Sequence, residues 1–275
     1  MSASASGATR SFEDVPLWYH TIELPGGPVT PGWFDLRGIV NKLPWPDVRG
    51  KRCLDVGTYD GFFAFEMERR GAREVIATDI ARHADWDLLP AARASAPQHL
   101  EMLAGQKGLG FEVARQALGS RVEKHIVSVY ELSPEELGTF DVVVCGSLML
   151  HLRDPVRALE SIRSVCHAWF MSIEEVSLSL STLFPRRPIA EMRLSAQLGQ
   201  WWVANTAGHA QMVEVAGFEV SERVGPFSEP FGVSHAPRGS GPRELATRLL
   251  KRLLTGGDGV PHAALVARPA AGPSR

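Results

Sequence analysis

The sequence predicts an α/β fold: a seven-stranded, mostly parallel sheet with helices on both faces. Three observations carry that expectation. Short apolar runs alternate with helical patterns from Arg52 onward, the order that βαβ units produce. The runs have the length and apolar character of buried strands. A glycine-bearing turn, Gly57-Thr58-Tyr59-Asp60-Gly61, joins the first run to the first helical pattern.

Taken in order, "RCLDVG" reads as a buried strand and "GFFAFEMERRG" as a helix that Gly71 ends in a left-handed cap. "EVIATDI" is the second strand, and residues 81–120 hold at least one helix, "FEVARQALG". "VEKHIVSVYEL" supplies strand three and "FDVVVCGSL" strand four. In "DPVRALESIRSVC", Asp154 is an N-cap and Pro155 takes the first helical position. "AWFMSIEEV" is strand five, and "NTAGHAQMVEVAG" is a helix capped by Asn205 and stopped at Gly217. "FEVSERVG" and "HAALVARP" close the sheet. We expect a flexible tail over 1–14, an N-terminal cap segment over 15–50, and a main domain over 51–275. Two connections in that domain exceed ordinary loop length, at about 177–205 and 226–261. The second contains an amphipathic basic helix, "PRELATRLLKRLLTG", which reads as a solvated face.

Composition narrows the function classes. The chain of 275 residues is 44% hydrophobic and 22% charged, with a formal net charge of −2. Such a balance does not draw a protein to nucleic acid or to an anionic membrane. "MSASASGATR" lacks the apolar centre of a signal peptide, and "VVVCGSLML" is too short to span a bilayer. Cys53, Cys145 and Cys166 have no metal-ligand spacing and read as buried thiols in a reducing, cytoplasmic setting. We expect no metal, and a monomer or homodimer.

The turn after strand one lacks the middle glycine of G-x-G-x-x-G, the pattern that brings bare backbone against a pyrophosphate. Asp60 would set a negative charge beside that anion. A cationic, phosphate-free adenosyl cofactor has the opposite needs, and S-adenosyl-L-methionine is the natural candidate. Asp55, ending strand one, can meet its ammonium group; Gly57 and Gly61 leave room for the methionine portion; Asp79, ending strand two, can accept from both ribose hydroxyls.

"LDVGTYDGFFAFEMERRGAREVIATDI" resembles the first motif and acidic loop of Rossmann-like (class I) S-adenosylmethionine-dependent methyltransferases. More narrowly, "WYHTIELPGGPVTPGWFDLR", "LHLRDPVRALESI" and "QWWVANTAGHAQMVEVAGF" resemble the group labelled tRNA wobble-uridine 5-oxyacetate methyltransferase-like. The resemblance implies a methyltransferase sheet. It implies that Ser128 and Val129 lie beside the adenine, and that Cys145 to Leu148, with Cys145 and Gly146 as cofactor contacts, run under the methionine portion. The enzyme of that label holds a carboxylated cofactor with a lysine before the core and a tyrosine after strand four. Here no lysine precedes Lys42, and Leu150 stands at the tyrosine position. Plain S-adenosylmethionine is therefore expected.

For chemistry, His151 follows strand four at the carboxyl edge and is a candidate base. Glu174 and Glu175 end strand five, where alternation lets one face the cleft; Glu174 joins the catalytic candidates. Trp18, Tyr19, His20 and Trp33 form an aromatic segment suited to covering a cleft, and Trp201 and Trp202 raise the same expectation for substrate contact. Arg186 and Arg187 read as an exposed loop pair. The preferred acceptor is a small molecule methylated at oxygen, in specialised metabolism on the strength of an Ala-, Arg- and Gly-rich composition. A tRNA substrate, carbon methylation and a non-catalytic binding module stay open.

Overall fold

In the computed structural model the described residues are 12–90, 107–195, 199–235 and 241–271. The flexible tail expected over 1–14 lies outside them as far as residue 11, and Phe12–Asp14 forms a 3-10 turn. The strands are β1 (Arg52–Val56), β2 (Glu74–Asp79), β3 (Glu123–Ile126), β4 (Phe140–Gly146), β5 (Cys166–Glu175), β6 (Ala190–Ser195), β7 (Gln200–Ala204), β8 (Phe218–Glu229) and β9 (Val260–Pro269). The helices are α1 (Phe62–Arg69), α2 (Leu109–Leu118), α3 (Pro134–Leu137), α4 (Pro155–Val165), α5 (Leu178–Leu183), α6 (Thr206–Val215) and α7 (Pro242–Thr255).

The main sheet runs β3-β2-β1-β4-β5-β9-β8, with β9 antiparallel to both neighbours and the first five strands parallel. Alternation along β4 divides the core. Val142 and Val144 face α1, α2 and the N-terminal segment, whereas Val143 and Cys145 face α4 and α6. Capping follows the sequence. Asp154 accepts from Arg157 N–H and Asn205 from Gly208 N–H, and Gly71 takes φ +92° after α1.

Strand three is shorter than its apolar run suggests. Ser128 accepts from Tyr130 N–H and turns the chain into a 3-10 helix over Val129–Glu131. The first long connection holds α5 and the β6–β7 hairpin, and the second holds α7. Among the described residues no helix is long and apolar enough to cross a membrane.

Candidate functional site

The carboxyl ends of β1, β2, β4 and β5 open into a cavity of about 990 Å³, the crevice where open α/β sheets take ligands. Six carboxylates (Asp55, Asp79, Asp85, Asp87, Glu175 and Glu191) and three lysine or arginine side chains (Lys107, Arg193 and Lys251) line it. Lys107 and Arg193 are already paired, with Asp79 and Glu175 respectively.

The floor beneath the first turn is built from β1 and β2. Asp55 accepts from Thr58 Oγ1 at 2.6 Å and Ala64 N–H at 3.1 Å, both on Oδ2. Burial pushes its carboxyl up to about 7 against those hydrogen bonds. Asp79 accepts from Tyr59 N–H at 3.0 Å on Oδ2 and from Ile80 N–H at 2.8 Å on Oδ1. Lys107 Nζ closes on the same Oδ1 in a buried ion pair and lies over the Tyr59 ring. These bonds leave acceptor capacity on Oδ2. Tyr59 stands where the middle glycine of a dinucleotide turn would be, and it adopts φ +52°. Gly57, at φ +75°, has Leu148 Cδ2 only 3.1 Å from where a Cβ would sit.

Ser128, Val129 and Gly146 line the cavity beside these acids. So does His151, whose Nδ1 faces the Gly199 carbonyl at 3.2 Å and whose ring stacks on Trp86. The carbonyl can only accept, so Nδ1 carries the hydrogen. Burial lowers the His151 pKa, leaving a neutral ring with its lone pair on Nε2. Across the crevice the lining turns apolar, with Leu17, Phe34, Leu178, Leu250 and Leu254 among its side chains. Trp33 and His20 line it too, but the His20 ring is pinned by Asp60 at 2.5 Å.

Several expected site residues lie elsewhere. Glu175, not Glu174, faces the cavity; Glu174 turns inward and accepts from Leu148 and Met149 N–H, fastening the loop after β4. Burial pushes Glu174 up to about 8. Cys145 points into the α4–α6 core. Gly61 makes room for packing: a Cβ there would meet Phe65 at 2.3 Å and Phe111 at 2.9 Å. Trp18 is a core residue stacked on Phe12. Trp201 donates to the Asp87 carbonyl at 2.6 Å from outside the lining, and Trp202 also lies outside it. Asp60 offers the cavity no charge, being buried against the N-terminal segment.

Sequence reasoning missed Lys107 and His262, both of which line the cavity, whereas Ser147 and Leu148, expected under the methionine portion, are in the lining. His262 was within reach: because β9 runs antiparallel, its first residues arrive at the edge where the parallel strands end. Among the described residues no group of three His, Cys, Asp or Glu side chains has a metal-binding arrangement.

The family described as "Methyltransferase domain" matches residues 35–220. A ubiquinone biosynthesis O-methyltransferase of Acinetobacter baylyi is 28% identical over 141 residues, covering 48% of this chain and 50% of that protein. A tRNA U34 carboxymethyltransferase of Campylobacter hominis is 28% identical over 121 residues, 44% of this chain and 34% of that protein. The chain thus spans about half the length of the curated relatives it matches, or less. Among solved structures, a chain in the complex between the Haloferax volcanii Trm112 methyltransferase activator and the putative methyltransferase superposes with a TM-score of 0.52. It does so at 12% identity, over 87% of this chain and 90% of that one.

Proposed function

The chain belongs to the methyltransferase-domain family of S-adenosylmethionine-dependent enzymes, and from that premise we propose that it methylates an oxygen of a small, largely apolar acceptor. The observation behind the reading is that one cavity joins the acid-fringed ends of β1 and β2 to an apolar half walled by α5, α7 and the N-terminal segment. At about 990 Å³ it has room for a cofactor and a small second ligand together.

The residues of the acid-fringed half fit a cationic adenosyl group. Asp79 would hold the ribose hydroxyls on its uncommitted acceptor positions, and Asp55 would face the ammonium. Ser128 and Val129 would border the adenine, with Gly57 and Gly146 beside the methionine portion. When bound, the cofactor supplies a methyl group already activated by a sulfonium. The protein's share is then alignment, exclusion of water and disposal of the acceptor's proton. Trp33, Phe34 and the α7 leucines Leu250 and Leu254 give the apolar half its lining. The neutral His151 offers a nitrogen on the cavity wall that can take a proton, as a base near neutral pH should.

A tRNA substrate has one observation in its favour, the likeness to the Campylobacter relative. The carboxylate-rich lining opposes it, since nucleic-acid binding rests on unpaired cations. A specialised metabolite is the acceptor we favour. Incubating the protein with methyl-labelled S-adenosylmethionine and a panel of hydroxylated aromatic and aliphatic compounds, read by mass spectrometry, tests the proposal. Label on an acceptor oxygen supports it; label on tRNA alone, or on carbon alone, contradicts it.

A further inference from the structure

Among the several polar groups of the cavity wall is the Ser147 hydroxyl. Ser147, directly after β4, adopts φ +49°, a region that residues with side chains rarely enter. The surrounding structure enforces it. Ser147 N–H donates to the Ile173 carbonyl at 2.8 Å, and the next two N–H groups donate to Glu174. This backbone sets the Ser147 hydroxyl 3.0 Å from His262 Nε2, at the cavity wall.

The partners of His262 fix its protons. Nδ1 lies 3.1 Å from the Val260 carbonyl, which can only accept. Nε2 lies 2.6 Å from the Glu229 carboxylate, whose negative charge at that distance favours a second proton on the ring. Both nitrogens therefore carry hydrogen, and the buried ring is an imidazolium. Burial, the largest single influence, would lower its pKa, but Glu229, the Val260 carbonyl and Glu175 together outweigh it and raise the value to about 9. Glu175, paired with Arg193 at 2.8 Å, adds to the pull. Glu174 accepts backbone hydrogen bonds, and nearby His209 is held neutral by burial. The Tyr19 phenol, facing Glu229 and Glu175, is kept protonated by burial and by those charges.

Glu229 Oε2 is not aligned for a straight hydrogen bond, so Nε2–H is directed at Ser147 Oγ. A hydroxyl that accepts from an imidazolium has its own proton to give. We propose that Ser147, polarised by His262 behind it, anchors the acceptor by an oxyanion, so that the acceptor is a phenol or enol bound in ionised form, its proton passing to the neutral His151 of the same cavity. The proposal rests on the reading of this cavity as an oxygen-methylating site. Charge-assisted donors held in place before reaction favour an anion over a neutral oxygen. An amine would bring its N–H groups to a donor. Ser147 is thus a binding residue and His262 a positioning residue.

The probe is para-nitrophenol, compared at pH 7 with para-nitroanisole, its neutral methyl ether. The wild type should bind the phenol at least about tenfold more tightly, a difference of about 1.4 kcal/mol, and the bound phenol should ionise at a lower pH than the free one, read from its absorbance. Ser147→Gly relieves the left-handed strain, so its Tm should rise while the preference falls below about threefold. Glu229→Gln, which removes the charge behind the imidazolium, should shrink the ionisation shift. No preference in the wild type, including no binding of either probe, overturns the proposal, as does a preference that survives Ser147→Gly. S-adenosylhomocysteine binding is measured in parallel. Its presence without phenolate preference sinks this proposal alone, and its absence sinks the cofactor reading itself.

Discussion

The Asp60 carboxylate and His20 form a buried clasp. Oδ1 lies 2.5 Å from His20 Nδ1, and Oδ2 accepts the backbone N–H groups of His20 at 2.7 Å and Tyr19 at 2.9 Å. The clasp ties the N-terminal segment to the turn after β1. The cover of the cavity and its cofactor floor are therefore one mechanical unit. It also explains an acid in the turn that does not repel a ligand: its charge is spent on the cover.

Asp60→Asn should destabilise the fold by about 3 kcal/mol, because it leaves a buried pair broken. Burial, the largest single influence, would lower the His20 pKa, but Asp60, with smaller help from Glu229 and Asp55, outweighs it and raises the value. The clasp's contribution is thus complete below the unfolded histidine value of about 6.5 and lost as pH rises through the folded value. Urea denaturation at pH 6 and pH 9 should show wild-type stability falling between the two, with a smaller fall in Asp60→Asn. Equal falls would remove the clasp from the pH response.

Asp79→Ala should weaken S-adenosylhomocysteine binding by about tenfold or more, the loss expected for charge-assisted hydrogen bonds to ribose. Isothermal titration checks this, and unchanged affinity would take the ribose role from Asp79.

Asp55, raised by burial to about 7, must be ionised to meet an ammonium group. Its raised value gives stability that is full below the unfolded carboxyl value of about 3.9 and lost as pH climbs through about 7. Ligand affinity should move the opposite way, rising between pH 6 and pH 8, with a proton released on binding at pH 6. Calorimetry in buffers of different ionisation enthalpy reads that proton. Proton uptake, or affinity flat across the window, would exclude an Asp55–ammonium contact.

His151→Ala should lower turnover by about tenfold to a hundredfold, in the range of general-base contributions, with cofactor affinity changed less than about threefold. Turnover near that of the wild type would leave His151 a wall residue held by Gly199 and Trp86.

The sheet was legible because its strands are apolar runs punctuated by caps, and Asp154, Asn205 and Gly71 act as their positions suggest. Asp55 and Asp79 were legible because strand ends place side chains at the crevice whatever the tertiary detail. Side-chain direction was not. Glu174 and Glu175 are equivalent in pattern, and only the register of β5 against β9 turns Glu175 to the cavity. Trp18 and Trp33 belong to one aromatic segment, yet the first serves the core and the second the lining. Ser147 and His262 stand far apart in the chain, and their contact exists only because β9 inserts antiparallel beside β5.

The most direct test compares thermal unfolding with S-adenosylhomocysteine and with NAD. A ligand at a hundredfold over its Kd stabilises the native state by about 2.7 kcal/mol, so a clear rise in Tm is expected with S-adenosylhomocysteine and none with NAD. A rise with NAD and none with S-adenosylhomocysteine would contradict the assignment of this cavity to a phosphate-free adenosyl cofactor.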